Sequence, residues 1–293
     1  MEIRGAYTAL ITPFRNDEVD VQALKALVER QIAGGIHGLV PCGTTGEAAT
    51  MSEAEQLLVI RTVVEAADGR VPIIAGTGSN DTKKTIAYTR KVAQIEGVHA
   101  ALVVVPYYNK PDQEGLYRHF TSVADQGNLP VVLYNVPGRT VTSLTPATVG
   151  RLAPHENIVA IKEATGDLKF DTEVIAEVGE QLSVLSGDDF TTFPLIACGG
   201  NGCISVVSNL DPAAMSQLCE AALNGDYARA RQLHLKIQPL ARALFSAPNP
   251  MPTKTIAAML DWCAPEVRGP LYEASDAQRA KLGEVLKDYN FEG

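Results

Sequence analysis

Lys162 is the residue around which a reaction could be built. It lies in the apolar run IVAIKEA (158–164), in the alternation phase of Ile158 and Ala160, a phase that can point into a core where an ammonium is poorly solvated. Loss of hydration favours the neutral amine of a lysine, the form that attacks carbonyl groups. The competing reading is a lysine that snorkels to a rim or pairs with Glu163. Schiff-base chemistry needs a proton shuttle and hydroxyl donors rather than a metal, and these residue types stand where neighbouring apolar runs end. Tyr134, in LPVVLYNVP (129–137), could relay protons to and from a carbinolamine; a buried structural tyrosine is the alternative. Thr44 and Thr45 of GTTGE (43–47) could bind a carboxylate or pass on a proton, or do no more than turn and cap the chain. Arg139 offers a fork that matches a carboxylate bidentately, against the ordinary role of a solvated loop arginine.

Eight β-rich apolar runs are available to position these groups: YTALITPF (7–14), GLVPCG (38–43), VPIIAGTG (71–78), AALVVVPYY (100–108), LPVVLYNVP (129–137), IVAIKEA (158–164), LSVLSGDD (182–189) and GCISVVSN (202–209). Helically spaced segments with N-cap signals lie between them, such as Ser52 before EAEQLLVIRTVVEAA, Asp81 before TKKTIAYTRKVAQ and Asp211-Pro212 before AAMSQLCEAAL. Strict βα alternation predicts parallel strands with right-handed crossovers, and nearly continuous apolar strands predict burial on both faces. Eight units favour a closed (β/α)8 barrel, a TIM barrel, over an open doubly wound sheet, whose Gly-rich phosphate turn is missing after the first strand. In such a barrel the chemistry gathers at the C-terminal ends of the strands, which brings Thr44, Thr45, Glu47, Tyr107, Tyr108, Tyr134, Arg139, Lys162 and Glu163 to one mouth. From Asn224-Gly225 onward the strand signals stop. The expected organisation is a catalytic barrel over 1–224 and a C-terminal helical domain over 225–293, too small for a comfortable core of its own and therefore packed on the barrel or on another subunit.

Composition narrows the function classes. The chain of 293 residues is 46% hydrophobic and 20% charged, with a formal net charge of -9. Acidic and basic residues are interspersed without a basic, aromatic-laced cluster, which argues against nucleic acid and anionic membranes. The start MEIRGAYTALITPFRND has no basic segment followed by an apolar one, and no run approaches a membrane span, so a cytoplasmic protein is expected. Five cysteines (42, 198, 203, 219 and 263) sit in mostly apolar segments, which reads as buried thiols rather than disulfides. The five histidines do not cluster, and His37 and His99 precede strands on the opposite face; no metal or organic cofactor is expected.

The motifs GTTGE (43–47), PYYNKP (106–111), YNVPGRT (134–140), IKEATG (161–166) and GCISV (202–206), in this order and from Tyr7 to the C-terminal helices, closely resemble the dihydrodipicolinate synthase family of pyruvate-dependent aldolases, related to N-acetylneuraminate lyase. The resemblance implies a Schiff-base lyase that condenses pyruvate with L-aspartate 4-semialdehyde, leading to 4-hydroxy-tetrahydrodipicolinate in lysine and diaminopimelate biosynthesis. Lys162 would form the imine and Tyr134 would act as acid and base. Thr45 and Tyr108 would complete a proton relay, Tyr108 reaching in from the neighbouring subunit of a homotetramer built as a dimer of dimers. Thr44 and Thr45 would hold the pyruvate carboxylate and Arg139 that of the aldehyde, with main-chain contacts from Gly187 and Ile204. The sialic-acid lyases lack the arginine, which separates this chain from a sister aldolase acting on a keto-sugar acid. A barrel that only binds or regulates would need neither the nucleophile nor the relay.

The chain departs from the family in one place. Lysine-inhibited relatives bind lysine at a subunit interface through positions that correspond here to Ala48, Ala49, Glu53, Gln56, Asn80, Lys84 and Tyr107. A serine, two histidines and a glutamate are replaced, and only Asn80 is kept among those polar partners. Lys84 sets a like charge against the ammonium of the ligand, while Glu53 restores one negative charge nearby. Weak or absent inhibition by L-lysine is therefore expected in a titration of initial rate at subsaturating pyruvate. Cooperative, near-complete inhibition at submillimolar lysine would contradict it.

Overall fold

A computed structural model describes residues 3–292. Eight parallel strands close into a barrel: β1 (Gly5–Ala9), β2 (Gly38–Val40), β3 (Ile73–Gly76), β4 (Val98–Val104), β5 (Val131–Asn135), β6 (Ile158–Glu163), β7 (Ser183–Ser186) and β8 (Gly202–Ser205). Closure comes from β1, which pairs with β8 through Tyr7 and Ile204 on one side and with β2 through Tyr7 and Gly38 on the other. Each strand falls within or overlaps one of the eight apolar runs, and helices follow where the caps predict them. Ser52 and Glu55 form a reciprocal capping box on the helix Glu53–Ala67, Asp81 caps Thr82–Val92 through Lys84 N, and Asp211 caps Pro212–Leu223 through Ala214 N.

Side chains sort into two layers, as alternation on a closed sheet requires. Tyr7, Val40, Ile74, Leu102, Val132, Ala160, Leu185 and Ile204 fill the barrel interior. Leu39, Ile73, Val103, Leu133, Ile161 and Val184 face the helices. Gly38 is dictated by this filling, because a Cβ there would stand 2.1 Å from Cε1 of Tyr7. Ile158 belongs to the outer layer although Ala160 lies inside, so the alternation phase read from the sequence fails at that one residue. The register explains it: Val131 pairs with Ile158 and Val132 with Ala160, leaving Val159 as an extra residue on β6.

The first apolar run is shorter as a strand than it reads. Beyond Ala9 the chain turns into a hairpin, Phe14–Arg15 against Glu18–Val19, through Asn16 and Asp17 at positive φ. Phe14 thereby leaves the sheet and lies buried beneath the C-terminal helices. Those helices, Tyr227–Leu244, Met251–Met259 and Asp276–Asp288, share one apolar core with the barrel's outer layer through Leu240, Ile256 and Leu282. All five cysteines are free; Cys198 is exposed and the others are buried. No helix among the described residues is long and apolar enough to cross a membrane.

One ion pair joins the helices to the mouth of the barrel. Lys254 donates to Glu47 Oε1 at 2.5 Å, with both side chains almost wholly withdrawn from water, and to Glu266 O at 2.7 Å. The second carboxylate oxygen of Glu47 accepts from Arg268 N at 2.9 Å. Removing one partner of a buried pair leaves a desolvated charge, which costs about 3–5 kcal/mol. Lys254→Met should therefore lower the denaturant midpoint markedly, and adding Glu47→Gln should recover part of the loss. A single variant as stable as the parent would show that the pair does not hold the loop.

Candidate active site

Lys162 and Tyr134 are direct register partners on β6 and β5. The lysine is only 5% exposed, and Nζ lies 4.3 Å from the centre of the Tyr134 ring. No carboxylate pairs with it among the described residues. Glu163, its neighbour in sequence, points away and is fully engaged, accepting from Asn135 Nδ2 at 2.8 Å and from Thr165 N at 2.6 Å. Pairing of Lys162 with Glu163 is thus ruled out by alternation, since adjacent residues face opposite sides of a strand. Gly187 packs on the stem of Lys162: a Cβ there would lie 3.0 Å from both Cγ and Cε of the lysine. Ile204 is buried inside the barrel on β8.

A cavity of about 850 Å3 opens at Tyr134, with Thr44, Val136, Arg139 and Tyr107 also among its lining residues; Lys162 lies behind Tyr134 and does not line it. Thr44 faces the cavity, whereas Thr45 is buried behind it and its hydroxyl accepts from Asn249 Nδ2 at 2.8 Å. Arg139 sits exposed on the short helix Pro137–Thr140 at the rim, free of any carboxylate among the described residues. That helix ends at Val141, which is 71% exposed with φ 65°. A β-branched residue in the left-handed region is strained, and such strain persists where it fixes a functional loop.

Tyr108 is not brought to the cavity by its own chain. It is 89% exposed and held at φ 74°. Asn80 braces this loop, donating from Nδ2 to Tyr107 O at 3.2 Å while its own carbonyl accepts from Asn109 Nδ2 at 2.7 Å. The positions matched to the family's lysine site mostly share the cavity: Ala48, Ala49, Glu53, Gln56, Lys84 and Tyr107 line it, while Asn80 does not. Glu53 already pairs with Lys91 at 2.6 Å, and Gln56 spends its amide on Ala48 O at 2.9 Å. Lys91 thereby offsets the Glu53 charge that would attract an incoming ammonium.

Carboxylates surround the far side of β6 and β7. Burial pushes the Glu163 carboxyl up, and Asp171, buried with both oxygens unpartnered among the described residues, is pushed up to about 7 by burial and then by the Glu163 charge. Asp189 is pushed up to about 6 by burial, opposed by the Ser205 hydroxyl and by Val206 N and Val207 N, which hold it against the end of β8. Sequence reasoning did not single out Asn249, Lys254, Asp171 or Asp189. For Asn249 the one available signal is its place between two prolines in APNPMP, a polar residue where a linker would be exposed, yet it is buried.

The whole chain resembles known proteins. Residues 2–289 match the model of the dihydrodipicolinate synthetase family. A 4-hydroxy-tetrahydrodipicolinate synthase from Trichlorobacter lovleyi is 51% identical over 286 residues, covering 98% of both chains. Among solved structures, dihydrodipicolinate synthase from Aquifex aeolicus superposes with a TM-score of 0.96 at 44% identity over 99% of both chains. A chloride-inhibited dihydrodipicolinate synthase from Acinetobacter baumannii complexed with pyruvate gives a TM-score of 0.96 at 42% identity, covering 98% of this chain and 99% of that one.

Proposed function

The chain belongs to the dihydrodipicolinate synthetase family, and from that premise we propose that it condenses pyruvate with L-aspartate 4-semialdehyde through a Schiff base on Lys162, giving 4-hydroxy-tetrahydrodipicolinate. The observation that carries this is a buried lysine with no carboxylate partner among the described residues, against Tyr134 and Gly187 at the mouth of the barrel. An amine so placed attacks the keto carbon of pyruvate, and loss of water from the carbinolamine gives the imine. A methyl proton then leaves, the enamine carbon attacks the aldehyde, and transimination by the substrate amine closes the ring and frees Lys162.

Proton transfers fall to Tyr134, beside the amine. A threonine of GTTGE continues the relay. Thr45 is the one the family resemblance suggests, but the hydroxyl that opens on the cavity with Tyr134 is that of Thr44. We assign the relay to Thr44, and to Thr45 the donation of a hydrogen bond to the pyruvate carboxylate. Main-chain groups of Gly187 and Ile204 complete the pyruvate site, and Arg139 receives the carboxylate of the aldehyde at the rim. A keto-sugar acid would call for hydroxyl partners where this arginine stands. The relay ends on Tyr108 from a neighbouring subunit, which accounts for a tyrosine held out into solvent at positive φ, and a homotetramer supplies it.

Borohydride reduction in the presence of pyruvate should fix a pyruvate-derived adduct on Lys162, read by peptide mass mapping. Lys162→Ala should abolish trapping and lower turnover by several orders of magnitude. Labelling confined to another lysine would sink the mechanism. Arg139→Ala should spare trapping but lower kcat/KM for the semialdehyde by roughly 10- to 150-fold, the worth of a hydrogen bond to a charged group, about 1.5–3 kcal/mol. Poor trapping with normal use of the aldehyde would place the second anion site elsewhere.

A further inference from the structure

The geometry points to Asn249, on the C-terminal extension, as a positioning residue for recognition of the pyruvate carboxylate, acting through the hydroxyl of Thr45. The inference rests on the proposed use of pyruvate at Lys162. Asn249 is buried, 6% exposed, and reaches Thr45 across more than two hundred residues of sequence. Asparagines in loops ordinarily bond nearby backbone. This one spends Nδ2 on Thr45 Oγ1 at 2.8 Å, and its Oδ1 has no partner among the described residues. The bond to Thr45 is thus the one hydrogen bond its side chain makes among the described residues.

A threonine hydroxyl has one proton to give and two lone pairs to offer. The Asn249 N–H fills a lone pair, so the Thr45 proton must go to another acceptor, and the described residues provide none. What remains is a buried donor with its direction set by Asn249, next in sequence to the cavity-facing Thr44. An acceptor that satisfies it is an anionic oxygen of a bound substrate. Donation into the same oxygen also polarises the outgoing O–H bond. The arrangement is held from both sides, because Lys254, on the helix that starts two residues after Asn249, grips Glu47, two residues after Thr45.

The test is a double-mutant cycle with Thr45→Val, read as kcat/KM for pyruvate, with kcat/KM for the semialdehyde and the thermal midpoint measured alongside. Asn249→Ala should lower kcat/KM for pyruvate about tenfold, the upper end for a hydrogen bond between neutral groups, and leave the value for the aldehyde within about twofold. In the Thr45→Val background the same change should cost less than about twofold, since its route is already gone. Asn249→Asp, of the same shape, should do at least as much harm, because an ionised carboxylate takes the Thr45 proton and repels the substrate anion; it also serves if the alanine variant fails to fold. Additive losses in the cycle, equal losses for both substrates, or an aspartate variant with parental pyruvate kinetics would overturn the inference. Failure of the unaltered protein to trap pyruvate on Lys162 would instead remove the reading beneath it.

Discussion

Lys254 and Glu47 bury opposite charges where almost no water reaches, and the mouth of the barrel takes its shape from that pair. An ion pair at such depth survives only if its remaining donors and acceptors are satisfied. Here they are: Glu266 O and Arg268 N supply the bonds, and Phe14 lies with its ring 4.1 Å from the ammonium and 4.3 Å from the Arg268 guanidinium. The pair fixes Glu47 at φ 56° and with it the turn that presents Thr44 and Thr45. The C-terminal helices are therefore part of the site's framework as well as an addition to its core.

Lys162 shows the opposite solution for the same residue type. Both lysines are buried, but one is matched with a carboxylate and a main-chain carbonyl while the other meets an aromatic ring and a glycine. A matched ammonium holds structure; an amine without an anion is chemically available. The difference follows from what lies across the strand. Position 162 faces inward beside Tyr134, and the only acidic neighbour in sequence is turned outward into bonds with Asn135 and Thr165.

The rim divides its duties by exposure. The side chains of Arg139 and Tyr108 lie open to solvent and hold no partner among the described residues, whereas Thr45, Tyr134 and Lys162 behind them are buried. Two of the rim segments, those carrying Tyr108 and Val141, are kept at positive φ. Backbone strain there is carried by bracing such as the Asn80 bonds to the Tyr107–Asn109 turn.

The sequence by itself determined the eight strands, the helix caps at Ser52, Asp81 and Asp211, and the gathering of Lys162, Tyr134, Thr44 and Arg139 at one end of the barrel. These are legible because hydrophobic period, caps and strand ends are local signals, written within a few residues of where they act. Tertiary structure alone decided that Ile158 falls out of phase, that Phe14 leaves the sheet, that Thr44 rather than Thr45 opens on the cavity, and that Asn249 and Lys254 secure the GTTGE turn. An extra residue in a strand or a bond spanning two hundred positions changes no local pattern. Such choices follow from which distant surfaces meet once the barrel has closed.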